Sequence, residues 1–171
     1  PLIRAYEIIH LAGLVIGVPD WERLIRTETG IHMPDPWIKE YLARPEVTVP
    51  AGLNRVFPAE ILEGGLPDLP SDRFYLGLLL YTVICGKIPF PLRKGWPHGI
   101  TAGKSVPLSY YQPGLNPNLA QLIDDLLALL PEDRPALRNT RLEWQRAIDN
   151  EAVLATKRDY AVNLKNSYRF F

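Results

Sequence analysis

Residues 71–90 read SDRFYLGLLLYTVICGKIPF and predict one long apolar helix. Ser71 is a suitable N-cap, and Asp72 suits the positive end of a helix. Gly86 follows the apolar run, and a proline soon after it prevents the helix from resuming. Almost no polar side chain interrupts the segment between these signals. Because such a helix has no face for water, we expect other elements to surround it.

The composition is that of a globular domain. The chain has 171 residues, of which 47% are hydrophobic and 22% charged, enough to form one domain with a sizeable core. Nineteen basic residues balance nineteen acidic ones, so the formal net charge is zero. A nucleic-acid-binding domain normally carries a basic excess. We therefore expect no nucleic-acid partner.

The cysteine content and the apolar runs indicate the compartment. Cys85 is the only cysteine, so the chain forms no internal disulfide, which favours a reducing, cytoplasmic location. No uninterrupted apolar run is long enough to span a membrane, and no signal peptide opens the chain. Because the first residue is Pro1 rather than Met, we expect a fragment of a longer protein.

The rest of the chain alternates helical signals with proline-rich segments. Asn116 and Pro117 are typical of a helix start, and leucines then recur at helical spacing. Helices are predicted at 2–12, 71–85, 117–130 and 137–150, loops with short strands at 13–70, and irregular structure at 87–116. We expect a domain over 1–150 and a helical, locally basic tail over 151–171, which is either a solvated helix or a partner-binding or membrane-facing segment.

Three separated motifs carry a resemblance to the protein kinases. Residues 71–90 resemble the central helix of the kinase C-terminal lobe, whose pattern is S-D-x-(Y/W)-S-L-G-x-x-L-Y-E-L-L-T-G-x-x-P-F. Residues 131–135, Pro-Glu-Asp-Arg-Pro, resemble the P-x-x-R-P motif that follows a later helix. Residues 57–62 are similar to the A-P-E motif, with alanine and proline exchanged. The resemblance implies that Glu60 pairs with Arg134 and that Asp72 holds the catalytic-loop backbone.

The resemblance also implies a fold. It is closest to the bacterial Ser/Thr kinases and covers roughly residues 5–148. The expected fold is mainly α: a kinase C-terminal-lobe-like helical domain with long loops and at most short β-hairpins, without an N-terminal lobe. The Gly-rich loop, the strand lysine and the adenine-binding hinge have no counterpart in the chain.

The segment that resembles the catalytic loop lacks its chemistry. His10-Leu11-Ala12-Gly13-Leu14-Val15 is similar to the segment that leads into that loop, and so sets the register. Val18 then occupies the position of the catalytic aspartate and cannot accept a proton. Asp20 replaces the phosphate-steadying lysine, and Arg23 replaces the metal-binding asparagine. We therefore expect no protein kinase activity.

Asp35 is the candidate for the metal-binding aspartate of the D-F-G motif. It lies between two prolines, in Met33-Pro34-Asp35-Pro36-Trp37, so it is either a turn residue or a remnant of a metal ligand. The three histidines are too dispersed to predict a shared metal site, and His10 is expected to hydrogen-bond within the first helix. We expect no metal site and no bound cofactor.

Exposed aromatic side chains are the candidate binding surface. Trp96, Tyr110 and Tyr111 either anchor an interface or cover the lower core. Through the resemblance, Trp21 and Trp37 fall on the catalytic-loop side, where they either seal the old nucleotide face or dock another domain of the same polypeptide. The candidates are Trp21, Trp37, Trp96, Tyr110 and Tyr111.

The sequence therefore predicts an inactive, truncated kinase-like module (a pseudokinase) with a scaffold or regulatory role in a larger signalling protein. Its expected partner is another protein or another domain of the same polypeptide. Two alternatives remain open. One is a nucleotide-binding phosphotransferase whose N-terminal lobe lies outside this chain, and the other is the cytoplasmic domain of a membrane sensor.

Overall fold

The computed structural model describes residues 2–17, 19, 25–27, 30–32, 56–90 and 105–155. In chain order the elements are α1 (Leu2–Leu11), β1 (Ile25–Thr27), β2 (Gly30–His32), α2 (Ala59–Leu62), α3 (Leu69–Cys85), α4 (Leu108–Tyr111), α5 (Pro117–Leu126), a 3-10 turn (Pro131–Asp133) and α6 (Leu137–Ala155). The predicted mainly α class is confirmed. The β structure within the described residues is one short antiparallel hairpin, in which Arg26 pairs with Ile31.

Helix α3 is the centre of the core, as its sequence predicted. Nearly every side chain between Phe74 and Tyr81 is fully buried, and α1, α4 and α5 pack around the helix. Gly86 adopts the left-handed conformation and donates its N–H to the Thr82 carbonyl, so the predicted C-terminal end is confirmed. An apolar helix is stable in this position because its neighbours exclude water from every side.

The predicted N-cap of α3 was wrong. The helix begins at Leu69, and its cap is Asp68, whose carboxylate accepts the Ser71 N–H at 2.9 Å. Ser71 returns the contact, since its hydroxyl accepts the Asp68 N–H at 2.8 Å. This reciprocal pair is a capping box, and Pro70 fits within it because the first turn needs no N–H from that residue.

Helix α5 packs directly on α3 at Gly77. A Cβ atom at that position would lie 2.7 Å from the Leu126 Cβ and 3.3 Å from the Leu126 carbonyl carbon. Atoms cannot approach this closely without a shift of the backbone. The missing side chain of Gly77 therefore permits the close approach of the two helices.

Helix α5 starts as predicted and ends earlier. The Asn116 side chain accepts the N–H groups of Asn118 and Leu119, and Pro117 opens the first turn. The helix stops at Leu126 rather than at residue 130, because Leu127 and Ala128 bond to carbonyls three residues back and tighten the last turn.

Helices α1 and α6 lie against each other beside the core. Leu2, Ile3 and Tyr6 of α1 are buried, as are Trp144 and Ala147 of α6. An ion pair between Glu7 and Arg141, at 2.6 Å, joins the two helices. Helix α6 continues to residue 155, beyond the predicted end at 150, so it crosses the point at which the tail was expected to begin; residues 156–171 lie outside the described part.

The short helices α2 and α4 were not predicted. Each has four residues, too few to produce an apolar periodicity that stands out from the surrounding loops. None of the described helices is both long and apolar enough to cross a membrane.

Replacing Gly77 with alanine should lower the free energy of unfolding. Overpacking against Leu126 costs about 1–3 kcal/mol, partly offset by the better helix propensity of alanine, about 1 kcal/mol. Because the contact at 2.7 Å is far inside van der Waals distance, we place the cost in the upper part of that range and expect a net loss of about 1–2 kcal/mol in urea unfolding. Gly114→Ala is the matched control, because no atom lies within 4 Å of a Cβ there. Equal stability of the two variants would contradict the close packing of α3 on α5.

Candidate functional site

Asp72 joins the first turn of α3 to the segment that follows α1. Its side chain is fully buried, and its Oδ2 accepts the Ile16 N–H at 2.8 Å while Oδ1 accepts the Gly17 N–H at 2.9 Å. His10 Nε2 lies 2.8 Å from the same Oδ2. The carboxylate thus holds two consecutive backbone amides immediately before Val18, which is the contact that the resemblance implied for it.

His10 bonds across the structure rather than within its own helix, so that prediction was wrong. It lies in the last turn of α1, and its ring reaches Asp72 on α3, 62 residues away in sequence. Tyr6 lies one turn earlier, with its ring edge-on to His10 at 6.4 Å. Burial raises the pKa of Tyr6, so its hydroxyl stays protonated at neutral pH.

Arg134 forms the ion pair with Glu60 that was predicted from the sequence. Its Nη1 donates to Glu60 Oε1 at 2.5 Å and its Nη2 donates to Oε2 at 3.0 Å, so the contact is bidentate. The Arg134 side chain is 0% exposed, whereas the Glu60 side chain is 18% exposed. The charge of Arg134 is therefore removed from water and depends on protein groups for compensation.

Backbone carbonyls satisfy the remaining donors of Arg134. Nε donates to the Ala128 carbonyl at 2.9 Å, Nη1 to that of Pro70 at 3.0 Å and Nη2 to that of Leu129 at 3.1 Å. With the two bonds to Glu60, all five N–H groups are paired. The guanidinium carbon also lies 5.1 Å from the centre of the Phe74 ring. This arrangement is structural, because no donor is left for a ligand.

Tyr110 and Tyr111 form an aromatic pair on α4. Tyr110 is 74% exposed and Tyr111 37% exposed, and their rings meet nearly at right angles with centres 5.1 Å apart. Tyr111 also lies edge-on to the buried ring of Tyr81, at 6.5 Å. Of the two possibilities open from the sequence, coverage of the lower core therefore does not apply to Tyr110.

Two side chains from neighbouring helices hold the segment that leads to these tyrosines. The Tyr81 hydroxyl donates to the Val106 carbonyl at 2.8 Å. The Asp124 carboxylate accepts the Leu108 N–H, at 3.1 Å to one oxygen and 3.3 Å to the other. Neither contact was predicted from the sequence. Tyr81 and Asp124 lie within helical patterns, and they are 25 and 16 residues away from their partners along the chain.

The other predicted site residues lie outside the described part of the chain. They are Val18, Asp20, Arg23 and Asp35 of the degenerate positions, and Trp21, Trp37 and Trp96 of the candidate interface. Their expected roles therefore stay predictions. Pro19, between two of them, is buried.

No group of three or more His, Cys, Asp or Glu side chains in the described part of the chain is placed to hold a metal ion. Burial raises the pKa of the Cys85 thiol, which disfavours the reactive thiolate, and its sulfur faces the Tyr81 carbonyl at 3.2 Å. The polar side chains Asp72 and Tyr81 hold backbone segments in place, and Tyr110 is exposed on the surface of α4.

Comparison with known proteins adds no relative: no protein-family model matches the chain, and neither does any curated protein.

Replacing Arg134 with methionine should destabilise the fold strongly. Methionine keeps an unbranched apolar side chain but lacks the guanidinium, so the variant leaves Glu60 and three carbonyls without their partner. We expect the free energy of unfolding to fall by about 3–5 kcal/mol. Arg146→Met is the matched control, because Arg146 pairs with Glu143 on the surface and is 69% exposed. That loss should stay below about 1 kcal/mol; comparable losses in the two variants would contradict a structural role for Arg134.

Proposed function

We propose that this chain is a catalytically inactive, protein kinase-like module that acts by binding a protein partner or another domain of its own polypeptide. The observation that carries the proposal is the contact between Asp72 and the backbone of Ile16 and Gly17. It holds in place the start of a loop whose next residues, Val18 and Asp20 in particular, lack the groups for phosphoryl transfer.

The residues that support the fold and the residues at the catalytic positions differ in how far they agree with the kinase pattern. The Glu60–Arg134 ion pair and the Asp72 contacts match the structural roles that the resemblance assigns to these positions. The catalytic positions depart from the family in residue type. A valine accepts no proton, and an arginine in place of the metal-binding asparagine offers no lone pair to Mg²⁺. A domain that has these structural contacts but lacks the proton-accepting and metal-binding residues at the catalytic positions suits binding rather than catalysis.

Tyr110 and Tyr111 are the part of the described surface that best fits a protein partner. Tyrosine combines a large apolar ring with a hydroxyl and loses little conformational entropy on binding, so it is enriched among interface residues that contribute most to affinity. Support from Tyr81 and Asp124 positions the pair before any partner arrives. We extend the same proposed binding role to Trp21, Trp37 and Trp96, which lie outside the described part of the chain.

The chain should bind neither ATP nor ADP, with or without Mg²⁺ or Mn²⁺. A ligand present at 100 times its dissociation constant would stabilise the fold by about 2.7 kcal/mol, which is readily measured as a rise in Tm. We expect no rise in thermal-shift titrations, with an active kinase domain as the positive control. A metal-dependent rise that Asp35→Asn abolishes would overturn the proposal and favour the phosphotransferase alternative.

Removing both tyrosine rings should weaken binding to the partner. We expect proteins cross-linked to the wild-type chain in cell extract to be depleted with the Tyr110→Ala, Tyr111→Ala double variant. Leu66→Ala is the control, because Leu66 is also exposed, at 85%, and lies on a different segment. Identical capture by the wild type and both variants would exclude the tyrosine pair as the partner surface.

A further inference from the structure

The segment 105–112, which carries the tyrosine pair, is held by hydrogen bonds from three other parts of the chain. The Val106 N–H donates to the Pro89 carbonyl at 2.7 Å, and its carbonyl accepts from Tyr81. The Gln112 side chain donates to the Ile84 carbonyl at 3.3 Å. Asp124 accepts the Leu108 N–H. Asp124 is the one acidic side chain among these contacts.

The position of Asp124 is unfavourable for a negative charge. It lies in the last turn of α5, where the aligned carbonyl groups already create a negative potential. Asp125 places a second carboxylate beside it, and none of the ion pairs found among the described residues includes Asp124. Within the described residues, the Leu108 N–H, shared between the two carboxylate oxygens, is the hydrogen-bond donor to Asp124.

Three effects act on the pKa of Asp124, and together they raise it. Partial burial raises the pKa of Asp124, the Leu108 N–H lowers it, and the charge of Asp125 raises it further. The net effect is to raise the pKa of Asp124 above the ordinary value of an aspartate. The neutral carboxyl therefore suits the docked segment better than the carboxylate does, and its carbonyl oxygen still accepts the Leu108 N–H.

We propose that the protonation state of Asp124 sets how tightly segment 105–112 docks on α5. The segment is held more tightly when the carboxyl is neutral and is released more readily when it is charged. Docking is strongest below the pH at which the exposed, undocked aspartate would titrate. It weakens as the pH rises through the higher value of the docked state.

Among the described elements that pack on α5, no charged side chain of α3, α4 or α6 is found to act on the pKa of Asp124, and Asp125 is the one charged group that does. Helix α4 contributes Leu-Ser-Tyr-Tyr and so no charged side chain. Tyr81 faces Asp124 from α3, but burial raises its pKa, so it stays neutral throughout the range in which carboxyl groups titrate. Asp125, on the same helix, is exposed and makes no contact with segment 105–112 among the recorded hydrogen bonds.

The consequence for binding rests on the proposed function: undocking of the segment would disperse the tyrosine pair and weaken its partner surface. The docking equilibrium itself does not depend on that function. A measurement on the chain without any partner therefore distinguishes failure of this inference from failure of the proposed binding role.

Hydrogen exchange of the Leu108 amide between about pH 4 and pH 7, corrected for intrinsic exchange, tests the inference. In the wild type the protection factor should fall as the pH rises, up to tenfold for each unit by which docking raises the pKa. Asp124→Asn keeps an amide oxygen for the Leu108 N–H and carries no charge. Its protection should be high and independent of pH. Asp124→Ala removes the acceptor, so its protection should be low throughout.

Asp125→Asn is the matched control and should retain the pH dependence of the wild type. Amides in the middle of α3 show whether each variant is folded, since they report global opening. Protection in the wild type that does not change with pH would overturn the inference. Equally low protection in Asp124→Asn and Asp124→Ala would also overturn it, because the charge of the carboxylate would then be what holds the segment.

Discussion

The burial of the Arg134 guanidinium is the constraint on which the rest of the structure depends. A permanent charge on a fully buried side chain requires a partner for each of its five N–H groups. Glu60 supplies two acceptors from α2, and the Pro70 carbonyl supplies one from the first turn of α3. The early end of α5 supplies the last two, because the chain turns there and directs the carbonyls of residues 128 and 129 toward the guanidinium.

Asp72 is a second buried polar side chain, and it lies in the first turn of α3, two residues after Pro70. Arg134 bonds to Pro70 and Asp72 bonds to residues 16 and 17, so the first turn of an otherwise apolar helix organises both α2 and the segment after α1. The remaining turns of α3 contribute apolar packing, with Gly77 setting the distance to α5. Polar contacts thus determine which segments meet, while apolar burial supplies most of the driving force.

This division of roles bears on the proposed function. The side chains that are buried and fully paired, Arg134 and Asp72, are occupied by the fold and have nothing to offer a substrate. Tyr110, by contrast, is exposed and contacts the ring of Tyr111, so it can meet another molecule. In the described part of the chain, the buried polar side chains thus serve the fold, and the exposed tyrosine pair is the surface on which the proposed binding role rests.

The sequence by itself determined the apolar helix, its end at Gly86, the cap at Asn116 and, through motif resemblance, the Glu60–Arg134 pair. These features depend on residue type and on spacing, which a sequence displays directly. Tertiary structure alone decided that His10 reaches Asp72 and that Asp124 holds Leu108, whereas the Asp68–Ser71 capping box is a local contact over three residues. The physical reason is that a polar side chain takes the acceptor or donor that folding brings within about 3 Å. That partner is commonly a backbone group, whose position no residue type reveals.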